Sequence, residues 1–144
     1  MFFNIRLETG KTELIRAVVE GICFHMRWML ERQEQKVSKY KKEDTVRFCG
    51  GGALGATTCQ ILSDILQRDV VVVKSPQNIG AVGAAACIAV GMKLIPTMKD
   101  VKKLIPIQTT YHPNKANKAV YDRNFEVFKN LYKDNKKNFE ILNG

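Results

Sequence analysis

Nowhere does this sequence reach the roughly 18 consecutive apolar residues that a membrane-spanning helix needs. Its first residues, "MFFNIRLETGK", have neither the early basic cluster nor the apolar core of a secretory signal, so a cytoplasmic location is expected and a membrane partner is not. Cysteine is sparse and scattered. Cys23, Cys49, Cys59 and Cys87 form no C-x-x-C pair, and neither His25 nor His112 stands at metal-ligand spacing from any of them. That pattern argues against a zinc site or a disulfide framework and predicts buried free thiols. Acidic residues are also short, 14 against 23 lysines and arginines, for a net charge of +9. Such an excess raises the question of nucleic acid. However, the lysines gather in "KVSKYKKED" (36–44), "KDVKK" (99–103) and "YKDNKKN" (132–138), with acids between them and few aromatics alternating. Runs of that kind read as solvated connectors and helix faces, and no nucleic-acid partner is expected.

What is present is ordinary for a globular chain: 45% apolar and 26% charged residues in 144, enough for one domain with one sizeable core. Leu14, Ile15, Val18, Val19, Ile22, Met26, Met29 and Leu30 recur at spacings of three and four and predict a long helix ending near Lys36. Thr9 or Thr12 is expected to cap it, and Gly21 within it predicts close packing there, since glycine costs a helix about 1 kcal/mol against alanine. A short strand, "TVRF" (45–48), leads into the glycine turn. A helix with Ile61, Leu62, Ile65 and Leu66 on its inner face follows. "DVVVV" (69–73) is a continuous apolar run of the sort buried on both faces of a sheet. "IGAVGAAACIAVG" (79–91) predicts a helix whose small side chains let it lie close to its neighbours. "PTMKDVKKL" predicts a short helix capped at Thr97. After "YHPN", a terminal amphipathic helix carries Tyr121, Phe125, Phe128, Leu131 and Tyr132.

Strand–helix–strand order of this kind makes parallel crossover units. Only two strands are clear, with "MFFNIRLE" as a weak third, and a two-stranded sheet is marginal. The expectation is therefore a partial sheet, truncated at its N-terminal strands and open at an edge to self-association.

Two nucleotide motifs need weighing. "TGKT" (9–12) resembles the end of a phosphate-binding P-loop, but that pattern requires glycine five positions before Gly10, where Ile5 stands. Gly50, Gly52 and Gly55 do spell G-x-G-x-x-G between a strand and a helix, as a dinucleotide-binding module requires. Against that module, a long helix precedes the strand, and "VVVVKSP" offers no acid at the tip of the next strand to bind a ribose hydroxyl.

The residues around those glycines carry a more specific pattern. "LIRAVVEGICFHMRWMLE" (14–31) resembles the R-A-v-x-E-G-x-x-f helix of the FGGY-family carbohydrate kinases, xylulokinase-like group. "GGGALGATTCQILSDILQRDVVV" (50–72) resembles their G-G-G-A-k-S-x-x-W-x-Q-i-x-A-D-x-x-x-x-P-V segment. "GAVGAAACIAVG" (80–91) is similar to their l-G-A-A-x-x-A-x-x-G helix, and "YHPNKANKAVYDRNFEVFKNLY" (111–132) to their Y-x-P tail. The four motifs come in order and take in nearly the whole chain.

The resemblance implies an α/β fold: a partial ribonuclease-H-like, actin-like ATPase domain with parallel strands flanked by helices and a helical C-terminal tail. It implies that Gly51, Gly52 and Ala53 form a wall for the adenosine of ATP, with Gly55 and Ala56 at its rim. A side chain larger than methyl there would collide with purine or ribose. The intact enzyme would transfer the γ-phosphoryl group of MgATP to a sugar hydroxyl, most readily that of xylulose, with gluconate and related polyols as alternatives. The catalytic aspartate, the triphosphate-gripping turns and most sugar contacts belong to family segments upstream of these 144 residues, and no Mg2+ ligands are identifiable within them, so the chain by itself is expected to be inert. Leu54, Gly55 and Thr58 replace the family's usual lysine, serine and tryptophan. Two other classes therefore stay open: a nicotinamide-dinucleotide module, and an interaction domain that has lost its nucleotide. Glu20 and Asp64, both inside helices, read as hydrogen-bond acceptors rather than catalysts, and His25 as a packed or interfacial side chain.

Overall fold

A computed structural model describes residues 1–37 and 43–144. Along the chain run α1 (Lys11–Lys36), β1 (Thr45–Phe48), a 3₁₀ turn at Gly51–Leu54, α2 (Ala56–Leu66) and β2 (Asp69–Val73). A second 3₁₀ turn (Pro76–Asn78), α3 (Ile79–Gly91), α4 (Met98–Leu104), β3 (Ile107–Tyr111), a third 3₁₀ turn (Lys115–Asn117) and α5 (Lys118–Asn143) follow. Two compact units result: Met1–Lys42 with Asp64–Gln67 and Asn114–Gly144, and Glu43–Ser63 with Arg68–Pro113. The centre of the lysine-rich connector expected at 36–44 lies outside the described residues. The lysines of the other two clusters are exposed, as solvated faces should be.

The sheet belongs to the second unit. β1 and β2 pair in parallel, from Thr45 opposite Asp69 to Phe48 opposite Val72, with α2 as the crossover between them. β2 is the central strand, and Val70 to Val73 are all buried, as a continuous apolar run demands. Beside the expected parallel pair, a third strand that the sequence does not announce, β3, pairs antiparallel to β2. "IQTTY" is an edge strand whose first three residues are exposed, so it carries no apolar run to mark it in the sequence. "MFFNIRLE", conversely, forms no strand. Ser63 closes this unit from within. Fully buried on α2, its hydroxyl lies 2.8 Å from the carbonyl of Arg68 and 3.0 Å from that of Tyr111, which ties the helix to the start of β2 and the end of β3.

The small-residue helix departs from expectation. Of α3 only Ala86 is buried, and a Cβ added at Gly80, Gly83 or Gly91 would meet nothing within 4 Å. Its three glycines thus face open space among the described residues. α4 begins as predicted at Thr97, whose hydroxyl donates to the Asp100 carboxylate at 2.7 Å.

In the first unit α1 and α5 meet through aromatic rings. Phe24 stacks on Phe125 with centroids 6.0 Å apart and meets Tyr121 edge-on at 6.1 Å. The guanidinium of Arg27 lies 4.3 Å from the Phe125 centroid and donates to Asp122 at 2.8 Å, to Glu31 at 2.9 Å and to the Ile65 carbonyl at 3.2 Å. Burial on α1 therefore centres on Cys23 and Phe24, not on the predicted apolar stripe. Ile15, Val18, Ile22 and Met29 share one helix face and stay exposed. The caps also differ: Gly10 is the N-cap, Thr12 is already helical, and the Thr9 hydroxyl accepts the Arg6 N–H instead. Gly21 lines an open groove, where an added Cβ would meet nothing, so the close packing expected there is absent.

Phe125 is 1% exposed, and Phe125→Ala is expected to cost about 3–5 kcal/mol in chemical unfolding, since the cavity forms in the middle of the aromatic contact between α1 and α5. The Asp122 carboxyl is held below the usual carboxylate range, chiefly by the hydrogen bond from Lys118 and then by that from Arg27. Its contribution is therefore present above the ordinary carboxylate pKa and disappears as the pH falls through the depressed folded value. Asp122 is 35% exposed, so solvent screening keeps this small. Asp122→Asn is expected to lower stability at pH 7 by under about 1 kcal/mol, with the gap to wild type closing as the pH falls through the depressed folded value.

Candidate functional site

The glycine turn forms where β1 ends and α2 begins. Gly50 takes φ 91° and ψ −176°, a conformation that belongs almost wholly to glycine. Its N–H donates to the carbonyl of Pro76 at 2.8 Å, joining the turn to the loop that leaves β2. The Ala53 N–H then donates to the Gly50 carbonyl at 3.2 Å, and the Gly55 N–H to the Gly52 carbonyl at 3.4 Å. The bond from the Cys59 N–H to the Gly55 carbonyl, 3.0 Å, starts α2. From beneath, the Cys59 thiol donates to the Ala53 carbonyl at 3.5 Å, and burial pushes that thiol's pKa up, which keeps the proton in place.

Of the five residues implied as an adenosine wall, Gly51, Gly52, Gly55 and Ala56 are exposed and lie together on the turn. Ala53 is 5% exposed and both its N–H and its carbonyl are bonded within the turn, so it can line a wall only through the little surface left to it. The reason for glycine differs at each position. Gly50 needs it for its φ. At Gly52 a Cβ would come 3.0 Å from Cζ of Phe48, and at Gly55 it would come 3.1 Å from Oγ1 of Thr58. At Gly51 φ is unremarkable and a Cβ would meet nothing within 4 Å. Within the turn, Gly50 is required by its φ, Gly52 and Gly55 lie tight against neighbouring side chains, and Gly51 has neither cause.

The turn stands at the carboxyl ends of two adjacent parallel strands, where open α/β sheets take their ligands. Beside it lies the loop Lys74–Asn78, with Ser75 in the left-handed region at φ 52° and Pro76 buried. The first N–H groups of α2 have no intrahelical acceptor and add a partial positive charge. Leu54, where the family pattern has lysine, is 64% exposed on the same turn. Phe48, Cys59 and Pro76 were not legible as parts of this site. They act through packing and backbone carbonyls, for which a one-dimensional pattern has no signature.

The remaining candidates resolve as structural groups or stand free of this turn. Glu20 accepts from Arg16 at 2.8 Å and from the Tyr121 hydroxyl at 3.0 Å. Asp64 accepts from the Asn114 N–H at 2.8 Å and from the Asn117 amide at 2.7 Å, anchoring the start of the C-terminal helix. Both are hydrogen-bond acceptors, as their helical setting suggested. His25 is exposed, not packed. All four cysteines are free thiols, but Cys49 and Cys87 are exposed, so burial holds only for Cys23 and Cys59. The reason is local: Cys49 sits where the chain leaves the sheet, and Cys87 on the uncovered helix α3.

The chain belongs to the FGGY family of carbohydrate kinases: residues 1–92 match that family's C-terminal domain. A xylulose kinase of Lactococcus lactis is 28% identical over 135 residues, which is 92% of this chain and 26% of that protein. An autoinducer-2 kinase of Salmonella choleraesuis is 29% identical over 141 residues, 92% of this chain and 25% of that protein. Among solved structures, a xylulose kinase from Rhodospirillum rubrum superposes with a TM-score of 0.79 at 26% identity, over 97% of this chain and 28% of that one. The fold is thus that of the actin-like ATPases, and the chain spans about a quarter of the length of the kinases it matches.

Each glycine's cause can be separated by substitution. Gly50→Ala is expected to destabilise the chain by about 1–3 kcal/mol, because alanine resists that φ. Gly51→Ala, with open space and no positive φ, is expected to stay within about 1 kcal/mol of wild type in the same thermal melts.

Proposed function

We propose that this chain is the adenosine-side part of the C-terminal nucleotide-binding domain of a carbohydrate kinase, within a single FGGY domain spanning 1–144. The observation that carries the reading is Gly51: an exposed glycine, at the carboxyl ends of two parallel strands, that nothing inside the protein requires. A planar base and ribose resting on Gly51 and Gly52 would supply the missing requirement. Ala53 completes the wall, and Gly55 and Ala56 form its rim. The positive end of α2 faces the polar edge of the ligand.

In the intact enzyme this wall orients ATP, and Mg2+ with the upstream residues supplies the phosphoryl-transfer chemistry toward a sugar hydroxyl. The family and its xylulose kinase relatives support a sugar acceptor, and xylulose is the first to test. Substrate would be enclosed by two domains closing around it. The chain by itself lacks the base and the phosphate grips and is inert as a kinase. The exposed face of Ile15, Val18, Ile22 and Met29, and the free edge of β1, support further family segments packing there, or self-association in their absence. No helix among the described residues is long and apolar enough to cross a membrane, and a cytoplasmic kinase is the location proposed.

Calorimetric titration of the chain with ATP and, separately, NADH tests this reading, with amide shifts followed from Gly51 to Ala56. ATP binding with NADH silent is the expected result. Silence toward ATP, in a chain shown to be folded, would favour an interaction domain in which Leu54 and Thr58 mark a lost site. No sugar phosphorylation is expected from the chain unaided.

A further inference from the structure

We propose that Phe48 is a positioning residue for nucleotide binding. Its ring holds the middle of the glycine turn at the height the nucleoside needs. The inference rests on the reading of that turn as the adenosine wall.

Both ends of the turn are tied down. Gly50 is bonded to the Pro76 carbonyl, and the Ala53 carbonyl accepts from the buried Cys59 thiol. The middle rests on a side chain. Phe48 is the last residue of β1, paired with buried Val72, and alternation along the strand places Val46 and Phe48 on its half-buried face. From there the ring reaches back beneath Gly52, with Cζ 3.0 Å and Cε1 3.7 Å from where a Cβ would stand. A packed aromatic ring is a stiff spacer. A shorter side chain lets the turn sink toward the sheet, and a methyl at 52 lifts the turn off the ring. Glycine at 52 thus answers to Phe48, whereas glycine at 51, open on the other side, answers to the ligand.

The test uses the full 144-residue chain, with ADP affinity from calorimetry and stability from thermal unfolding. Gly52→Ala is expected to weaken ADP about tenfold, and adding Phe48→Leu to bring affinity back to within about threefold of wild type. Gly51→Ala is expected to weaken ADP about tenfold with its melting temperature unchanged, and Phe48→Leu does not restore it. Phe48→Leu by itself keeps an apolar side chain, folds, and weakens ADP about threefold. A purely structural ring would move melting temperatures without this split between positions 51 and 52. Unchanged ADP affinity in Phe48→Leu, or equal rescue at both glycines, overturns the proposal. A folded wild type that does not bind ADP overturns the reading of the turn, and the positioning role with it. The Phe48–Gly52 coupling in unfolding would then still appear, because that contact needs no ligand.

Discussion

The single constraint on which the second unit depends is the backbone of Gly50, held at φ 91° as β1 gives way to α2. With an L side chain there the strand could not turn so abruptly into the 3₁₀ segment. The Gly50 N–H would also lose its aim at the Pro76 carbonyl. That bond joins the loops leaving two adjacent parallel strands and so builds an exposed ledge at their carboxyl ends. Everything chemically interesting follows from it: the small exposed surface of Gly51 and Gly52, the buried Ala53 and the free N–H groups at the start of α2.

The first unit is organised by a different device. Arg27 is a half-buried cation that stacks on Phe125 and divides its N–H groups among Glu31, Asp122 and a main-chain carbonyl. A guanidinium so fully partnered is no loose surface charge, and it directs the packing of α1 onto α5 through the polar-aromatic side of α1. The apolar stripe of the same helix is left for something else to cover. Ile15, Val18, Ile22 and Met29 form an exposed apolar row, in a chain that spans about a quarter of the length of its kinase relatives.

Much of the fold was legible beforehand because its signals are periodic. The run of valines announced a strand buried on both faces, and three-four spacing announced α1, α2 and α5. The order strand, glycine turn, helix announced a tight exposed turn at the carboxyl end of β1. β3 was not legible. "IQTTY" is a half-polar edge strand that owes its existence to pairing with β2, not to any pattern of its own. Nor did periodicity say which face of α1 would be buried, because the aromatic partner on α5 lies about a hundred residues away in the chain.

At the site the division is sharper. Composition and spacing placed Gly51, Gly52, Ala53, Gly55 and Ala56 on one turn, since local backbone demands are written into local residue types. Which glycine answers to what is a matter of three dimensions. Phe48 sits under Gly52, Thr58 against Gly55, and nothing against Gly51. The sequence by itself determined where the chain must turn and which elements flank the turn. Only the tertiary structure decided which of those residues are free to meet a ligand, because steric demand arises between atoms brought together by folding.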